Sequence, residues 1–326
     1  MKICMFSTKL YDKTHFSLKN LDITFLSPRL SEETVNLAQG FDVICCFVND
    51  NLDANVLRKL HNFGVKMVAL RCAGFNNVDL NVAKEIGMAI CRVPEYSPYA
   101  VAEHACALIL DLNRHIHRAH NRIRENDYSL DGLLGFDLHG KTVGIVGAGK
   151  IGLAFAKIMN GFGCRILIHD PYLSKKNLQP NYTQVTFDEL LLQSDVISLH
   201  CPLTQDTHHL IDEQSIELMK PNVMLINTSR GGLVDTVAII KALKLKKIGY
   251  LGIDVYEEES EIFFEDLSET FIKDDVFARL QTFPNVIITG HQAFFTEEAL
   301  SKIAETTESN ILNYFSGRPE LSNMVN

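Results

Sequence analysis

Several features that mark other classes of protein are missing from this sequence of 326 residues. It contains no low-complexity tract and no uninterrupted apolar run near the ~20 residues that span a bilayer, and its amino terminus lacks the pattern of a signal peptide. A formal net charge of −9 leaves no basic field for nucleic acid phosphates or anionic membranes. We therefore expect a cytoplasmic globular chain with neither nucleic acid nor membrane as a partner, in which local positive charge holds any anionic substrate.

The eight cysteines form no CxxC pair, and most of them lie inside apolar segments. This distribution indicates reduced, buried thiols rather than a disulfide or metal framework. A run of three histidines, His115, His117 and His120, has a spacing that does not place three ligands on one helix face. The sequence therefore predicts no metal site.

The hydrophobic pattern predicts two series of βαβ units, because short apolar runs alternate with amphipathic stretches. The apolar runs of the first series are 3–6, 43–48, 65–70 and 88–93, and those of the second are 142–146, 165–169, 196–200, 223–227, 250–254 and 286–289. Between the series, a proline-punctuated loop (94–98) enters a long apolar helix (101–116), which suits a domain boundary. We expect a final helical stretch (296–315) to pack back on the first series. The predicted domains are 1–100 with 296–326, and 101–295.

A glycine-rich motif follows the first apolar run of the second series. Gly147, Gly149 and Gly152 form a GxGxxG sequence, with Lys150 and Ile151 between the last two glycines. A predicted strand precedes the motif and a helical pattern follows it. In that context the glycines allow a tight turn and bring a pyrophosphate close to the helix N-terminus. The motif therefore predicts a dinucleotide site.

An acidic residue, Asp170, ends the next predicted strand, eighteen residues beyond Gly152. A carboxylate at that position accepts hydrogen bonds from the adenosine ribose and repels a 2′-phosphate. Aspartate before proline is also a common turn former, but strand, loop, helix, strand and acid occur here in the order and spacing of a dinucleotide-binding unit. The predicted cofactor is NAD rather than NADP.

Three later segments place polar residues at the ends of apolar strands, where open α/β sheets bind their ligands. Arg230 follows one strand beside two glycines, and His291 follows another. The third segment is rich in glutamate. Taken alone, Arg230 fits a surface turn, His291 fits a structural histidine, and Glu257, Glu258 and Glu261 fit a solvated loop.

Almost the whole chain resembles the D-isomer-specific 2-hydroxyacid dehydrogenases, and within them most closely the bacterial fermentative D-lactate dehydrogenases. The matching segments occur in family order: YDK at 11–13, FVND at 47–50, LRCAGFNNVD at 70–79, DVISLHCPLT at 195–204, NTSRG at 227–231, FFED at 263–266 and GHQAF at 290–294. The resemblance implies an α/β fold with two Rossmann-like or flavodoxin-like parallel-sheet domains and a cleft between them.

By this resemblance, Arg230, Glu259 and His291 take the family's Arg–Glu–His roles in the reversible, NADH-dependent reduction of pyruvate to D-lactate. His291 donates the proton that the developing alkoxide needs. Glu259 orients the imidazole ring and favours its charged form. Arg230 binds the substrate carboxylate and polarises the carbonyl oxygen. The hydride chemistry belongs to the cofactor.

Two further sets of residues follow from the resemblance. The cofactor contacts are Gly147, Gly149, Lys150, Ile151, Gly152, Asp170, Cys201, Thr228, Ser229, Arg230 and Asp254. The substrate contacts are the backbone amides of Ala73 and Gly74 and the side chains of Tyr96, Arg230, His291 and Phe294, with Phe47 nearby. A small pocket walled by aromatic rings favours a methyl substituent, and hence pyruvate over bulkier 2-keto acids.

Other activities on the same fold stay open at this point. Related enzymes act on glyoxylate, hydroxypyruvate, phosphoglycerate or longer 2-keto acids. Formate dehydrogenases share the fold but need no proton transfer, and a corepressor branch uses it as an NAD-sensing binding module. The resemblance also implies a homo-oligomer, dimer or tetramer, assembled through helices such as 101–116.

Overall fold

The structure is a computed structural model that describes residues 1–16, 22–173, 179–264 and 266–326, apart from the side chain of Glu261. The chain divides into two compact units. Unit 1 comprises Met1–Ser97 with Phe295–Asn326, and unit 2 comprises Pro98–Phe294. Glu265, part of one segment that carries the resemblance, lies outside the described residues.

The described residues form twelve strands and eleven α-helices. The strands are β1 (Lys2–Met5), β2 (Asp22–Phe25), β3 (Val43–Cys46), β4 (Met67–Leu70), β5 (Ala89–Cys91), β6 (Thr142–Val146), β7 (Arg165–His169), β8 (Tyr182–Gln184), β9 (Val196–Leu199), β10 (Val223–Asn227), β11 (Ile248–Ile253) and β12 (Val286–Ile288). The helices are α1 (Leu10–His15), α2 (Ala54–Asn62), α3 (Leu80–Glu85), α4 (Pro98–Arg114), α5 (Ile116–Arg124), α6 (Lys150–Gly161), α7 (Phe187–Gln193), α8 (Glu213–Leu218), α9 (Thr236–Lys244), α10 (Asp275–Gln281) and α11 (Glu297–Phe315).

The sheet of unit 1 is parallel and has the strand order β2-β1-β3-β4-β5. Every residue of β3 and β4 is buried, as expected when helices cover both faces of a parallel sheet. The hydrophobic pattern predicts four of these five strands and misses β2, a half-exposed edge strand. Its sequence, DITF, forms no continuous apolar run. The last residues of the chain pair with β5, where the N–H of Val325 donates to the carbonyl of Ile90 at 3.1 Å.

The sheet of unit 2 is also parallel, with the order β12-β11-β10-β9-β6-β7-β8. The order reverses between β6 and β9, because β7 and β8 lie on one side of β6 and the later strands lie on the other. Loops diverge at such a switch point and leave a crevice that binds ligands. The glycine motif follows β6 directly and therefore lies at this point. The six predicted strands are present, and the additional one, β8, is a three-residue edge strand that sequence reasoning missed.

Acidic and hydroxyl side chains fix where several helices begin. Asp53, Asp79 and Thr186 each accept a backbone N–H from the first turn of α2, α3 and α7. Asp235 and Asp274 do the same for α9 and α10, each accepting two N–H groups. Such caps satisfy donors that the helix itself leaves free, so these starts are encoded locally.

The long apolar helix predicted at 101–116 is α4, which ends at Arg114 because His115 adopts left-handed backbone with a φ of 51°. Most apolar side chains of α4, among them Ile109 and Leu112, are buried in the core of unit 2. The oligomer contact that the resemblance implies for this helix stays a prediction. The next helix, α5, buries none of its residues.

All eight cysteines are buried and free, and burial raises the pKa of the Cys45 thiol to about 12. No helix in the described part of the chain is long and apolar enough to cross a membrane. The same residues contain no group of three His, Cys, Asp or Glu side chains that could hold a metal ion.

Candidate active site and cofactor site

His291 and Glu259 form a hydrogen-bonded pair at the carboxyl edge of the unit 2 sheet. His291 follows β12, Glu259 follows β11, and Nδ1 of the ring lies 2.7 Å from Glu259 Oε1. The other carboxylate oxygen accepts the N–H of Tyr256 at 3.0 Å, which fixes the carboxylate. Only 17% of the His291 side chain and 21% of the Glu259 side chain are exposed. Among the described residues Nε2 of His291 has no hydrogen-bond partner, so it is available to exchange a proton with a ligand.

The buried carboxylate of Asp254 fixes the backbone around His291. Its Oδ1 accepts the Thr289 hydroxyl at 2.5 Å and the N–H of Gln292 at 2.9 Å, and its Oδ2 accepts the N–H of Ala293 at 2.8 Å. The N–H of His291 donates to the Asp254 carbonyl at 2.7 Å. These bonds hold His291 in the left-handed region with a φ of 52°, a strained conformation that clusters at functional sites. The cofactor contact expected of Asp254 stays a prediction.

Arg230 lies on the loop that follows β10. Buried Asn227 shapes this loop: its Nδ2 donates to the Arg230 carbonyl at 2.8 Å and its Oδ1 accepts the N–H of Ser229 at 3.0 Å. Arg230 Nη1 donates to the Ser229 carbonyl at 2.6 Å. Within the described part of the chain no carboxylate pairs with this half-buried guanidinium, and no hydrogen bond joins it to His291 or Glu259. A cation without an acidic partner suits the carboxylate of a ligand.

A close backbone contact links the Arg230 loop to the segment that carries Glu259. A Cβ atom on Gly231 would lie 2.0 Å from the carbonyl carbon of Tyr256 and 2.4 Å from the backbone nitrogen of Glu257. Real Cβ atoms do not approach backbone this closely, so only glycine fits without a shift of one segment. The fold of unit 2 therefore sets the position of Arg230 relative to Glu259.

The glycine loop forms a cradle in front of α6. Gly147 has a φ of 96°, and a Cβ atom on Gly152 would lie 2.0 Å from the Gly147 carbonyl oxygen. Gly149, the residue before α6, faces open space, with no atom within 4 Å of where its Cβ would stand. The first residues of this 12-residue helix are Lys150 and Ile151, and Gly149 offers no side-chain cap. Free N–H groups beside open space fit a pyrophosphate.

Asp170 lies at the carboxyl end of β7, beside the glycine loop. Its Oδ2 accepts the N–H of Ala148 at 2.8 Å, and its Oδ1 accepts the N–H of Tyr172 at 2.8 Å. The carboxylate is thus held against the loop, and each oxygen keeps an acceptor site because a carboxylate offers about four. This placement fits the ribose role predicted for Asp170.

Cys201 lies beside the glycine loop, since a Cβ atom on Gly147 would stand 2.6 Å from its backbone nitrogen, and Thr228 and Ser229 follow β10. The Ser229 hydroxyl donates to the Cys201 carbonyl at 2.6 Å. Burial raises the pKa of the Cys201 thiol to about 11, so the thiol is a neutral neighbour rather than a nucleophile. The hydroxyl oxygen of Thr228 is buried and has no hydrogen-bond partner among the described residues. A buried hydroxyl normally has a partner, so Thr228 fits a polar group supplied by a cofactor.

The Ala73–Gly74 segment, which follows β4 in unit 1, presents two backbone N–H groups that donate no hydrogen bond within the described residues. The carbonyl groups of the same residues are both engaged. Ala73 O accepts Nη1 of Arg92 at 2.9 Å, and Gly74 O accepts the Cys72 thiol at 3.3 Å. Two adjacent N–H groups without an acceptor suit an anion such as a carboxylate.

The aromatic residues predicted to wall the substrate pocket occur in both units. Tyr96 is half-buried and Phe47 is buried in unit 1, whereas Phe294 is buried in unit 2. The predicted substrate contacts are thus divided between the units, since Ala73 and Gly74 belong to unit 1 and Arg230 and His291 to unit 2.

Glu257 is not the freely solvated acid that the sequence suggests. Its Oε1 lies 2.6 Å from Nε2 of His209, and its Oε2 accepts the N–H and the hydroxyl of Thr236. No local pattern predicts these contacts, because both partners are distant in sequence. Glu258 is exposed, as expected, and the side chain of Glu261 lies outside the described residues.

Sequence reasoning also gave no role to two arginines of unit 1. Arg71 is 2% exposed, and its Nε donates to Oδ1 of buried Asp12 at 3.0 Å. Arg92 holds the Ala73 carbonyl. Arg71 and Asp12 lie in segments that carry the resemblance, but only the fold shows that they meet.

The fold and this site define a dinucleotide-dependent oxidoreductase: a doubly wound sheet with a glycine cradle at its switch point, an acid after the next strand, and a carboxylate-bound histidine. Comparison with known proteins agrees. The family model "D-isomer specific 2-hydroxyacid dehydrogenase, NAD binding domain" matches residues 106–293. The chain therefore belongs to the D-isomer specific 2-hydroxyacid dehydrogenases, and its cofactor is NAD.

Individual relatives cover nearly the full length. A 2-hydroxyacid dehydrogenase homolog of Haemophilus influenzae is 52% identical over 322 residues, which are 98% of this chain and 97% of the relative. The D-lactate dehydrogenase of Escherichia coli is 50% identical over 321 residues, 97% of this chain and 98% of the relative. The apo structure of the E. coli enzyme matches with a TM-score of 0.90 and 47% identity, covering 100% of both chains. These findings confirm the predicted family and the two-sheet α/β fold.

Proposed function

We propose that this chain is a D-lactate dehydrogenase, which reduces pyruvate to D-lactate with NADH. The observation that carries the proposal is the His291–Glu259 pair, with one ring nitrogen bound to a carboxylate and the other free. A reaction that creates an alkoxide needs such a proton donor, whereas a module that only binds the dinucleotide does not. The D-lactate dehydrogenase of E. coli, similar over nearly the whole chain, supports pyruvate as the substrate.

Each residue has a defined task in this reaction. When bound, NADH supplies the hydride that the keto carbon accepts. Nε2 of His291 gives its proton to the keto oxygen, so that the C=O group becomes a hydroxyl. Glu259 holds the ring through Nδ1 and fixes its orientation. Arg230 binds the substrate carboxylate and polarises the carbonyl, and the free N–H groups of Ala73 and Gly74 bind the same carboxylate.

The residues that would hold NAD are those of the glycine cradle and its surroundings. The N-terminus of α6, with Gly149 and Lys150, binds the pyrophosphate, and Asp170 accepts the ribose hydroxyls. The buried hydroxyl of Thr228 supplies a further polar contact. Because Asp170 carries a negative charge where NADP has its 2′-phosphate, NADH is the preferred reductant.

Steady-state oxidation of NADH, followed at 340 nm with a panel of 2-keto acids, tests this proposal. We expect pyruvate to give the highest kcat/KM, ahead of glyoxylate, hydroxypyruvate and longer acids. His291→Gln abolishes turnover but leaves NADH binding intact, whereas the matched control His61→Gln, an exposed histidine of α2, retains full activity. A wild-type protein that binds NADH but reduces no 2-keto acid contradicts the proposal and favours an NAD-sensing binding module.

We also propose that the chain forms a homo-oligomer. Ile116 and Ile123 of α5 are each 55% exposed, and Leu130 and Leu134 of the following loop are more than 80% exposed. Exposed apolar side chains on one helix and on the loop after it fit an association surface. Light scattering of the purified protein distinguishes a monomer from a dimer or tetramer, and the cytoplasmic location stays a prediction.

A further inference from the structure

Arg92 binds the Ala73–Gly74 segment, whose two N–H groups donate no hydrogen bond within the described residues. It follows β5 in unit 1, its Nη1 donates to the Ala73 carbonyl at 2.9 Å, and its guanidinium carbon lies 5.1 Å from the centre of the Phe75 ring. Arg92 therefore contacts residues 73–75 at two points: a hydrogen bond to Ala73 and a cation–π contact with Phe75.

The geometry of the peptide bond turns this contact into control of a donor. In a trans peptide the C=O of one residue and the N–H of the next point in opposite directions. By holding the carbonyl of Ala73, Arg92 therefore fixes the direction of the Gly74 N–H, which donates no hydrogen bond within the described residues. A charged donor on the carbonyl also polarises the peptide and strengthens its N–H as a donor.

The charge of Arg92 is uncompensated, unlike that of Arg71. Arg71 forms an ion pair with Asp12 at 3.0 Å, but no carboxylate in the described ranges pairs with Arg92. Its Nε is buried without a hydrogen-bond partner among those residues. A buried, unsatisfied donor on an unpaired cation lowers stability. This cost has a function if the charge helps to bind an anion.

The backbone of Arg92 is fixed from outside the loop. Its N–H donates to the carbonyl of Asn323, and its carbonyl accepts Nδ2 of Asn310, each at 2.9 Å. Asn323 and Asn310 are in turn joined by a hydrogen bond of 2.7 Å. The C-terminal segment thus holds Arg92 while its side chain holds Ala73.

We infer that Arg92 is a positioning residue for the substrate carboxylate: it aims the Gly74 N–H and places an unpaired positive charge behind it. The inference rests on the proposed function, since it takes the Ala73–Gly74 segment as the carboxylate site. It concerns ground-state binding of the carboxylate in unit 1 and is separate from the proton transfer by His291.

The test compares Arg92→Gln, Arg92→Lys and wild type as full-length proteins. Arg92→Gln should raise the KM for pyruvate about tenfold, with kcat changed by less than about threefold, since the bond lost is charge-assisted and acts mainly on binding. Arg92→Lys keeps the charge but not the planar guanidinium group, so its KM should lie between those of wild type and Arg92→Gln. Arg58→Gln, an exposed arginine of the same unit that pairs with Glu85, is the matched control and should match wild type.

Calorimetric titration of oxamate, a non-reacting 2-keto acid analogue, into the NADH-loaded proteins gives a readout without turnover. Its affinity should fall by the same factor as KM rises, while NADH affinity stays constant. A lower kcat with unchanged KM and oxamate affinity overturns the inference. If Arg92→Gln does not fold, Arg92→Lys decides, and a wild-type oxamate affinity overturns it. A wild-type protein that binds oxamate but reduces no 2-keto acid contradicts the proposed function and leaves the Arg92 comparison valid.

Discussion

Replacing Gly231 by alanine tests whether the relative positions of Arg230 and Glu259 depend on one backbone contact. The new Cβ would stand 2.0 Å from the carbonyl carbon and 2.2 Å from the carbonyl oxygen of Tyr256. One segment has to retreat by about 1.5 Å before the contact becomes an ordinary van der Waals distance of about 3.5 Å. Either Arg230 or Glu259 then moves. A misplacement of ~1 Å in a catalytic constellation costs on the order of 10²-fold in rate.

We therefore expect Gly231→Ala to lower kcat/KM for pyruvate about 100-fold and the free energy of unfolding by about 1–3 kcal/mol. Gly161→Ala is the matched control, because its Cβ would meet no atom within 4 Å at the exposed end of α6. That control should retain activity and gain a little stability. Initial rates with NADH and urea unfolding measure both effects. If Gly231→Ala keeps more than about half of the wild-type kcat/KM, the positions of Arg230 and Glu259 do not depend on this contact, which refutes the expected link between the backbone shift and the rate.

Three further predictions concern the cofactor and the fold. Asp170→Ala removes both the ribose acceptor and the charge that opposes a 2′-phosphate, so the preference for NADH over NADPH should narrow by about tenfold in kcat/KM; an unchanged ratio argues against that role. Burial lowers the pKa of His200 to about 3, so below about pH 6.5 the unfolded chain binds a proton that the folded chain does not. Between pH 7 and 5 wild type should lose about 1–2 kcal/mol more stability than His200→Gln in urea unfolding, and equal losses contradict it. Arg71→Met leaves Asp12 buried without its partner, so unit 1 should lose about 3–5 kcal/mol; adding Asp12→Leu should recover much of it, and additive losses refute the pairing.

The parts of the site that lie close together in sequence are predictable from it. The chain runs without interruption through β6, the glycine loop, α6, β7 and Asp170. Each of these elements has a local signature: an apolar run for a strand, glycines for a tight turn, or a pattern that starts a helix. The structure then places Asp170 against the loop through the N–H of Ala148. Short-range geometry follows from chain connectivity, so spacing alone is informative here.

The parts that depend on the tertiary fold are not predictable in this way. Gly231 is one of several glycines in the sequence, and only the structure shows that its missing side chain admits the backbone of Tyr256. Glu257, grouped with solvated acids, is bound by His209 and Thr236 from other elements. Arg92 follows a short strand in a segment without any motif. The edge strands β2 and β8 lack apolar runs because an edge strand needs only partial burial.

The pairing of Glu259 with His291 lies between these cases. The resemblance supplied both residues and their roles, whereas their separation along the chain gives no reason for contact. The structure adds the 2.7 Å bond, the second anchor of the carboxylate on Tyr256 and the left-handed backbone of His291. These are the features that distinguish the proposed proton donor from a structural histidine after a strand.

The most direct test of the central claim is the identity of the product formed from pyruvate and NADH, determined by chiral chromatography with wild type and His291→Gln in parallel. The account predicts that wild type forms D-lactate in a one-to-one ratio with the NADH consumed, and that the variant binds NADH but forms none. L-lactate as the product, or D-lactate formed at the wild-type rate by the variant, would contradict it.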